Sequence, residues 1–438
     1  MKRIIFGCLG VVAVVFALHF TQVDAQAGIF SNCSPCDEVG PCDDVCGPCD
    51  AVCGPKAKAG QWFLRGHMES GFFANSHGAT STYQFPGRAL VGHADLGRGA
   101  DGWSGNTDRL MNTRLTGAQV NQIYISMGKA VDGRRGLDLG GKVDFTWGSD
   151  AYLVQARGLE WGAGHGNPLG DEGRWGSGDY FAAFAQAYAE AAYGNWNFIA
   201  GKFAAPFGSS HYDGSHNFFY SWASTATIAP HVGGGAYAVY KVNDQLTVVG
   251  GWVMPEELGE SSENNAVLGG FDWALTRYLK VHYAFAAGQN SYHPHFGADK
   301  DVYFVQSLVT TAQLSKRLEY VIDWTYFQNR GKVAGNIVGS VYSYGINNEL
   351  TYRVNKKWAF GTRFGVLNGG QANSGPCDWY TIGIGANWTP NKWLIVKPEL
   401  RYDWTDNPAT HAFNLDGNNI FLRSTYQLAG GMSAVVKF

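Results

Sequence analysis

The sequence predicts an all-β protein, a transmembrane antiparallel β-barrel of about 16 strands with short periplasmic turns and long outer loops. Three observations predict it. A strand–turn–strand unit appears at Tyr240–Val249 (YKVNDQLTVV) and recurs at Trp273–Val281, Gln313–Val321, Thr351–Phe360 and Asn387–Val396. Its flanks alternate apolar and polar residues with the period of two that a half-buried strand needs. Short polar turns then alternate strictly with long polar connections along the chain. Finally, only 16% of the residues are charged while 14% are aromatic and 59 are glycine, a balance foreign to a soluble surface. Beyond the N-terminus no apolar run reaches the ~18 residues of a membrane helix, so any crossing must use strands.

The chain begins MKRIIFGCLGVVAVVFALHF, two cations before an apolar run, and Ala25-Gln26-Ala27 then fits a small-x-small cleavage site. Residues 1–27 therefore read as a secretory signal peptide. Residues 28–58 form a Gly- and Pro-rich segment with six cysteines, Cys33, Cys36, Cys42, Cys46, Cys49 and Cys53. The unit CD-x-V-CGP occurs twice within it. Export to an oxidising compartment favours disulfides, within the segment or to a neighbouring chain; the paired Cys-x-x-Cys spacings leave zinc as the alternative. The segment is a low-complexity tether outside the barrel, which occupies residues 59–438. Cys377 falls in a loop with no evident partner.

From Gly60 onward each strand shows two faces. Leu318, Tyr320, Ile322, Trp324 and Tyr326 oppose Arg317, Glu319, Asp323 and Thr325. Leu394, Val396, Leu400, Tyr402 and Trp404 oppose Lys397, Glu399, Arg401 and Asp403. In the same way Tyr344, Ile346 and Tyr352 oppose Glu349 and Arg353, Tyr283 and Phe285 oppose Lys280 and His282, and Phe145 and Trp147 oppose Lys142 and Asp144. Aromatics gather at strand ends, as in the girdles of a membrane barrel. Unpaired sheet edges cannot survive in hydrocarbon, so the sheet must close.

Short links near 131–136, 193–195, 242–244, 275–277, 314–316, 354–356 and 389–392 alternate with long connections at 75–118, 148–178, 206–233, 255–264, 288–300, 329–339, 368–376 and 405–419. Seven turns and eight loops make sixteen strands with both ends on the short-turn side. Pro398 cannot donate to a ladder, which predicts a bulge. The last strand, Tyr426–Phe438, alternates to a terminal aromatic.

Residues 201–208 (GKFAAPFG), Asn217–Ser221 (NFFYS), Pro230–Gly235 (PHVGGG) and the charged strand Glu399–Trp404 (ELRYDW) together resemble the OmpL-like family of outer-membrane β-barrel porins. The resemblance covers about Gly60–Phe438 and excludes the cysteine segment. It implies a bacterial outer-membrane location and passive passage of small polar solutes. Homotrimers are the common assembly of such pores. Where the family has an acidic residue after the Pro-x-Gly step, this chain has Ser209-Ser210-His211.

A barrel of ~16 strands leaves an aqueous channel. Its inward charges then line the pore: Lys142, Asp144, Lys280, His282, Arg317, Glu319, Asp323, Glu349, Arg353, Arg363, Lys397, Glu399, Arg401 and Asp403. Both signs are nearly balanced, so strong ion selectivity is not expected, and salt bridges that stiffen the lumen are the competing role for these groups. The third long loop, 206–233, carries Phe207, Tyr212, Phe218, Phe219, Tyr220 and Trp222. An exposed apolar cluster of that size marks a packed or binding surface. The loop is thus expected to fold inward as a constriction, with His211, Asp213 and His216 facing solute. No cofactor and no enzymatic site is expected; Ser209, Ser210, His211 and His216 lack an orienting pattern. A net charge of −3 gives no nucleic-acid footprint. The expected partners are outer-membrane lipid and small polar solutes in transit. The alternative function is a structural or adhesive outer-membrane barrel, its lumen plugged, tethered through the cysteine segment.

Overall fold

The computed structural model describes residues 60–75, 117–156, 158–160, 175–177, 180–255, 258, 265–290, 301–333, 337–371, 375–405, 413–414, 423–424 and 426–438. Residues 1–27, expected to be a signal peptide, and the six clustered cysteines lie outside the described residues. Sixteen strands form the wall: β1 Trp62–Asn75, β2 Gly117–Lys129, β3 Asp138–Gly148, β4 Tyr180–Tyr193, β5 Trp196–Ala204, β6 Val232–Lys241, β7 Leu246–Pro255 and β8 Asn265–Thr276. The second half comprises β9 Leu279–Asn290, β10 Asp301–Gln313, β11 Leu318–Val333, β12 Ile337–Arg353, β13 Trp358–Gln371, β14 Gly375–Asn391, β15 Leu394–Thr405 and β16 Tyr426–Lys437. Each strand pairs antiparallel with its sequence neighbours. β16 returns to β1 in the register His67↔Lys437 to Asn75↔Ala429, which closes the ring. Closure removes every edge, the condition a sheet must meet in lipid.

Residue parity decides what each strand buries. On β11, Asp323, Thr325 and Phe327 are buried while Ile322, Trp324 and Tyr326 keep partial exposure. Outward residues elsewhere are large and apolar, among them Phe198, Phe360, Ile382, Ile384, Leu400 and Tyr402. Aromatic rings band both ends of this face. Near the short turns Trp196 meets Tyr240 at 4.5 Å and Trp358 meets Trp388 at 5.9 Å. Toward the long loops Tyr380 stacks on Trp404 at 5.2 Å and Trp147 on Tyr180 at 5.1 Å.

Three local expectations change. The connections anticipated at 329–339 and 368–376 are mostly strand, because β11–β14 continue pairing through their Gly- and Asn-rich ends (Gly331↔Gly339, Gly370↔Pro376). Polar composition there reflects strands that have left the hydrocarbon. Cys377 accordingly lies on β14, opposite Gly369, and not in a loop. Pro398 causes no bulge. Toward β14 the ladder skips from Gly385↔Glu399 to Trp388↔Val396 in the same register, and Pro398 still aligns with Met432 on β16. The register shift of that hairpin lies beside its turn, between Trp388 and Asn391.

Candidate functional site

The lumen is built around the connection between β5 and β6, residues 205–231. It leaves β5 along the wall. Pro206 O accepts from His282 Nε2 of β9 at 2.9 Å, and Gly208 N donates to Ser307 Oγ of β10 at 2.8 Å. Ser209 then donates through N (2.8 Å) and Oγ (3.0 Å) to Asp323 of β11. Three residues later Tyr212 Oη donates to Asp144 of β3 at 2.9 Å. β11 and β3 stand eight strands apart in a ring of sixteen, on opposite walls. The loop therefore crosses the lumen.

Beyond the crossing the chain settles on the third wall region. Gly214 N donates to Gln122 Oε1 at 3.0 Å, and Gly214 O accepts from Lys397 Nζ at 2.5 Å. Tyr220 Oη donates to Asn121 at 2.9 Å. Ser221 N and Oγ both donate to Glu399, and Arg363 Nη1 donates to the carbonyls of Ser221 (3.0 Å) and Trp222 (2.9 Å). The loop finally returns to β11, where Thr225 Oγ1 donates to Asp323 at 2.7 Å. Phe219, Tyr220, Trp222, Ala223 and Ile228 are buried and Phe207, Tyr212 and Phe218 half-buried, so none of the aromatics that distinguish this loop stands free in water.

The wall makes room by omitting side chains. A Cβ on Gly361 would collide with the Phe218 ring, one on Gly71 would lie 2.7 Å from Tyr220 Oη, and one on Gly385 would lie 3.0 Å from the Phe219 ring. We expect Gly361→Val to unseat the loop while the barrel still closes, because β13 keeps its ladder. A denser pattern of protease cuts within 209–223 than in the unaltered protein checks this.

The fourteen inward charges separate into groups. Asp144, Asp323, Arg363, Lys397 and Glu399 hold the loop directly, and His282 holds its stem. Lys142 and Glu349 are ion-paired to two of these, Asp144 at 2.7 Å and Arg363 at 2.9 Å. Arg401 pairs with Asp403 at 2.9 Å, and its guanidinium lies over the Phe73 ring at 5.4 Å. Glu319, Lys280 and Arg353 stand together near the short-turn end. Arg317 is in the exposed turn before β11 rather than on the wall, because that strand begins one residue later.

Of the three expected loop residues, His211 is exposed, and Asp213 and His216 pair at 3.0 Å in a one-turn helix that Asp213 caps. Burial raises the Asp213 carboxyl, but His216 and His67 outweigh it and hold the group well below the usual carboxylate range. A carboxyl lowered on folding lends stability above its unfolded pKa of ~3.9 and loses it as pH falls through the folded value. On the carboxylate side the clamp is therefore lost only in acid. Burial also raises the Tyr212 and Tyr220 phenols well above their ordinary value, so both remain donors at neutral pH.

Some partners have no sequence signal. Glu69 accepts from Ser433 at 2.7 Å and faces Lys397, partners at the far end of the chain that nothing near it in sequence marks. Glu160 and Lys202, both fully buried, pair at 2.7 Å and fasten the β3–β4 connection to β5. Among the described residues no group of three His, Cys, Asp or Glu is placed to hold a metal ion.

Solved structures share this architecture. The outer-membrane channel DcaP of Acinetobacter baumannii superposes with a TM-score of 0.55 at 13% identity, over 88% of this chain and 99% of that one. An anion-selective porin from Comamonas acidovorans gives 0.51 at 8% identity, over 86% and 99%. In-vitro folded OmpT of Vibrio cholerae, an outer-membrane protein, gives 0.50 at 13% identity, over 87% and 99%. No curated protein matches the sequence. The model of one family, beta-barrel porin-2, OmpL-like, matches residues 92–438. With a closed sixteen-strand barrel and a match over most of its length, the chain belongs to this family of outer-membrane porins.

Proposed function

We propose that the protein is a passive, non-enzymatic pore for small hydrophilic solutes, and that residues 206–231 set its narrowest cross-section. The observation that carries this reading is the bracing of the loop on Asp323 and Asp144, on opposite walls. Such a brace divides the lumen while leaving the wall closed. Wall charges tied up in anchoring contribute little net field, so selection is by size more than by charge. Purified protein in liposomes should give swelling rates that fall steeply from small sugars to larger ones. Absence of swelling with a folded barrel would refute the pore.

Export by the N-terminal 27 residues, homotrimeric assembly and disulfides among Cys33, Cys36, Cys42, Cys46, Cys49 and Cys53 complete the proposal. The cysteines precede β1 in the sequence. Deleting Cys33–Cys53 should leave heat-modifiable migration and conductance unchanged while abolishing reduction-sensitive cross-links. Stoichiometric zinc in the purified protein would contradict the disulfide assignment.

A further inference from the structure

The short-turn rim carries a charge pattern that neither pore nor bilayer requires. In four successive turns a polar residue caps the turn and a cation follows it: Thr276-Arg277, Ser315-Lys316-Arg317, Asn355-Lys356-Lys357 and Asn391-Lys392. The caps are alike in mechanism. Ser315 Oγ accepts from the N–H groups of Arg317 and Leu318, Asn355 Oδ1 from Lys357 and Trp358, and Asn391 Oδ1 from Trp393 and Leu394. Thr276 Oγ1 accepts from Tyr278 N. Each turn is thereby held in one conformation with its cations exposed.

None of these six cations forms an ion pair among the described residues, and Arg277 lies instead over the Tyr278 ring. The other turns differ. Arg134 pairs with Asp132, and Lys241 with Asp244. Arg135 of the β2–β3 turn is also exposed, but unpaired cations occur in four consecutive turns only along one arc, from the β8–β9 turn to the β14–β15 turn. Successive turns are two strands apart, so cations recur every ~10 Å along it. An arc of this kind suits an extended polyanion.

The chain supplies one. Residues 28–58 hold Asp37, Glu38, Asp43, Asp44 and Asp50 against only Lys56 and Lys58. This segment joins the barrel on the same rim, where Gly60 N donates to Ala130 O at 2.8 Å and Ala130 N to Gln61 O at 3.2 Å. β1 is separated from β15, the end of the arc, only by β16. The ten residue steps from Asp50 to Gly60 span up to ~35 Å, and the whole segment about three times that, enough to follow the arc. Attachment at one end makes docking intramolecular, which compensates for the weakness of single exposed ion pairs.

We propose that the acidic cysteine-rich segment 28–58 docks along the basic arc of the short-turn rim, using its carboxylates against Arg277, Lys316, Arg317, Lys356, Lys357 and Lys392. Docking holds the six cysteines beside the pore mouth and offsets the positive field there. The inference stands independently of conduction.

Zero-length cross-linking of the full mature chain tests it. A carbodiimide activates a carboxyl, a lysine Nζ displaces the resulting urea, and an amide remains only where the two groups touched. A mixture of isotope-labelled and unlabelled protein distinguishes links within a chain from links between chains. Expected are same-chain amides from Asp37, Glu38, Asp43, Asp44 or Asp50 to Lys316, Lys356, Lys357 or Lys392. Their yield should fall severalfold at ~1 M salt, where screening acts within ~3 Å. It should fall likewise in the double variant Arg277→Glu, Arg317→Glu, which removes no reactive lysine and lies outside the strands. Heat-modifiable migration confirms that the variant is folded. Absence of these links, links only between chains, or yields indifferent to salt and to the double variant would overturn the proposal.

Discussion

Deleting Ser209–Ser221 is expected to raise single-channel conductance severalfold and to admit larger solutes, with the barrel still folded. The segment contains the crossing from β11 to β3 and the anchors on Gln122, Lys397, Asn121 and Glu399. Its removal opens the lumen at the level where, among the described residues, chain crosses from wall to wall. The wall should survive. Its sixteen strands pair without help from the loop, and the charges left behind, Asp144, Asp323, Arg363, Lys397 and Glu399, would face water instead of meeting an apolar void. A charge returned to water does not incur the penalty of one left buried and unpaired. Unchanged conductance in a folded deletion variant would show that the narrowest point lies elsewhere.

Ile322→Arg is expected to damage assembly far more than Asp323→Asn, although the two residues are adjacent. Ile322 faces outward on β11, between Tyr320 and Trp324. An arginine there costs about 2–4 kcal/mol at the bilayer midplane, roughly 30-fold or more in the folding equilibrium. Asp323 is fully buried, but its surroundings are the loop and not lipid. It accepts from Ser209 N, Ser209 Oγ, Thr225 Oγ1 and Thr325 Oγ1. An amide turns one acceptor oxygen into a donor facing donors, which loosens the loop at about 1–3 kcal/mol. Asp323→Asn should therefore keep the heat-modifiable barrel and show noisier or larger channel currents. Equal loss of folded protein in both variants would mean that the faces are assigned wrongly.

The contrast between these neighbours shows what could be read in advance. Period-two alternation placed Ile322 outside and Asp323 inside, because one pleat serves one solvent. Turn and loop lengths carried the strand count in the same local way. The density of aromatics in 206–233 marked a segment that could not remain in water. What Asp323 does inside was not legible. Its partners Ser209 and Thr225 lie about a hundred residues away and meet it only because the ring closes. The same holds for Glu399 with Ser221 and for Lys397 with Glu69. Register shifts hid others: at the β1–β2 shift Asn121 and Gln122 are both buried, so parity counted along β2 slips there. Gly331, Gly339 and Cys377 misled for a third reason, since strands that project beyond the hydrocarbon lose the apolar face by which they are recognised.

Single-channel recording of the purified wild-type protein in planar bilayers tests the central claim most directly. The structure of the lumen predicts discrete, ohmic steps of low conductance for a barrel of this size, rising with salt and enlarged by the loop deletion. Folded, heat-modifiable protein that enters the bilayer and carries no current would contradict the pore and leave a plugged, structural barrel in its place.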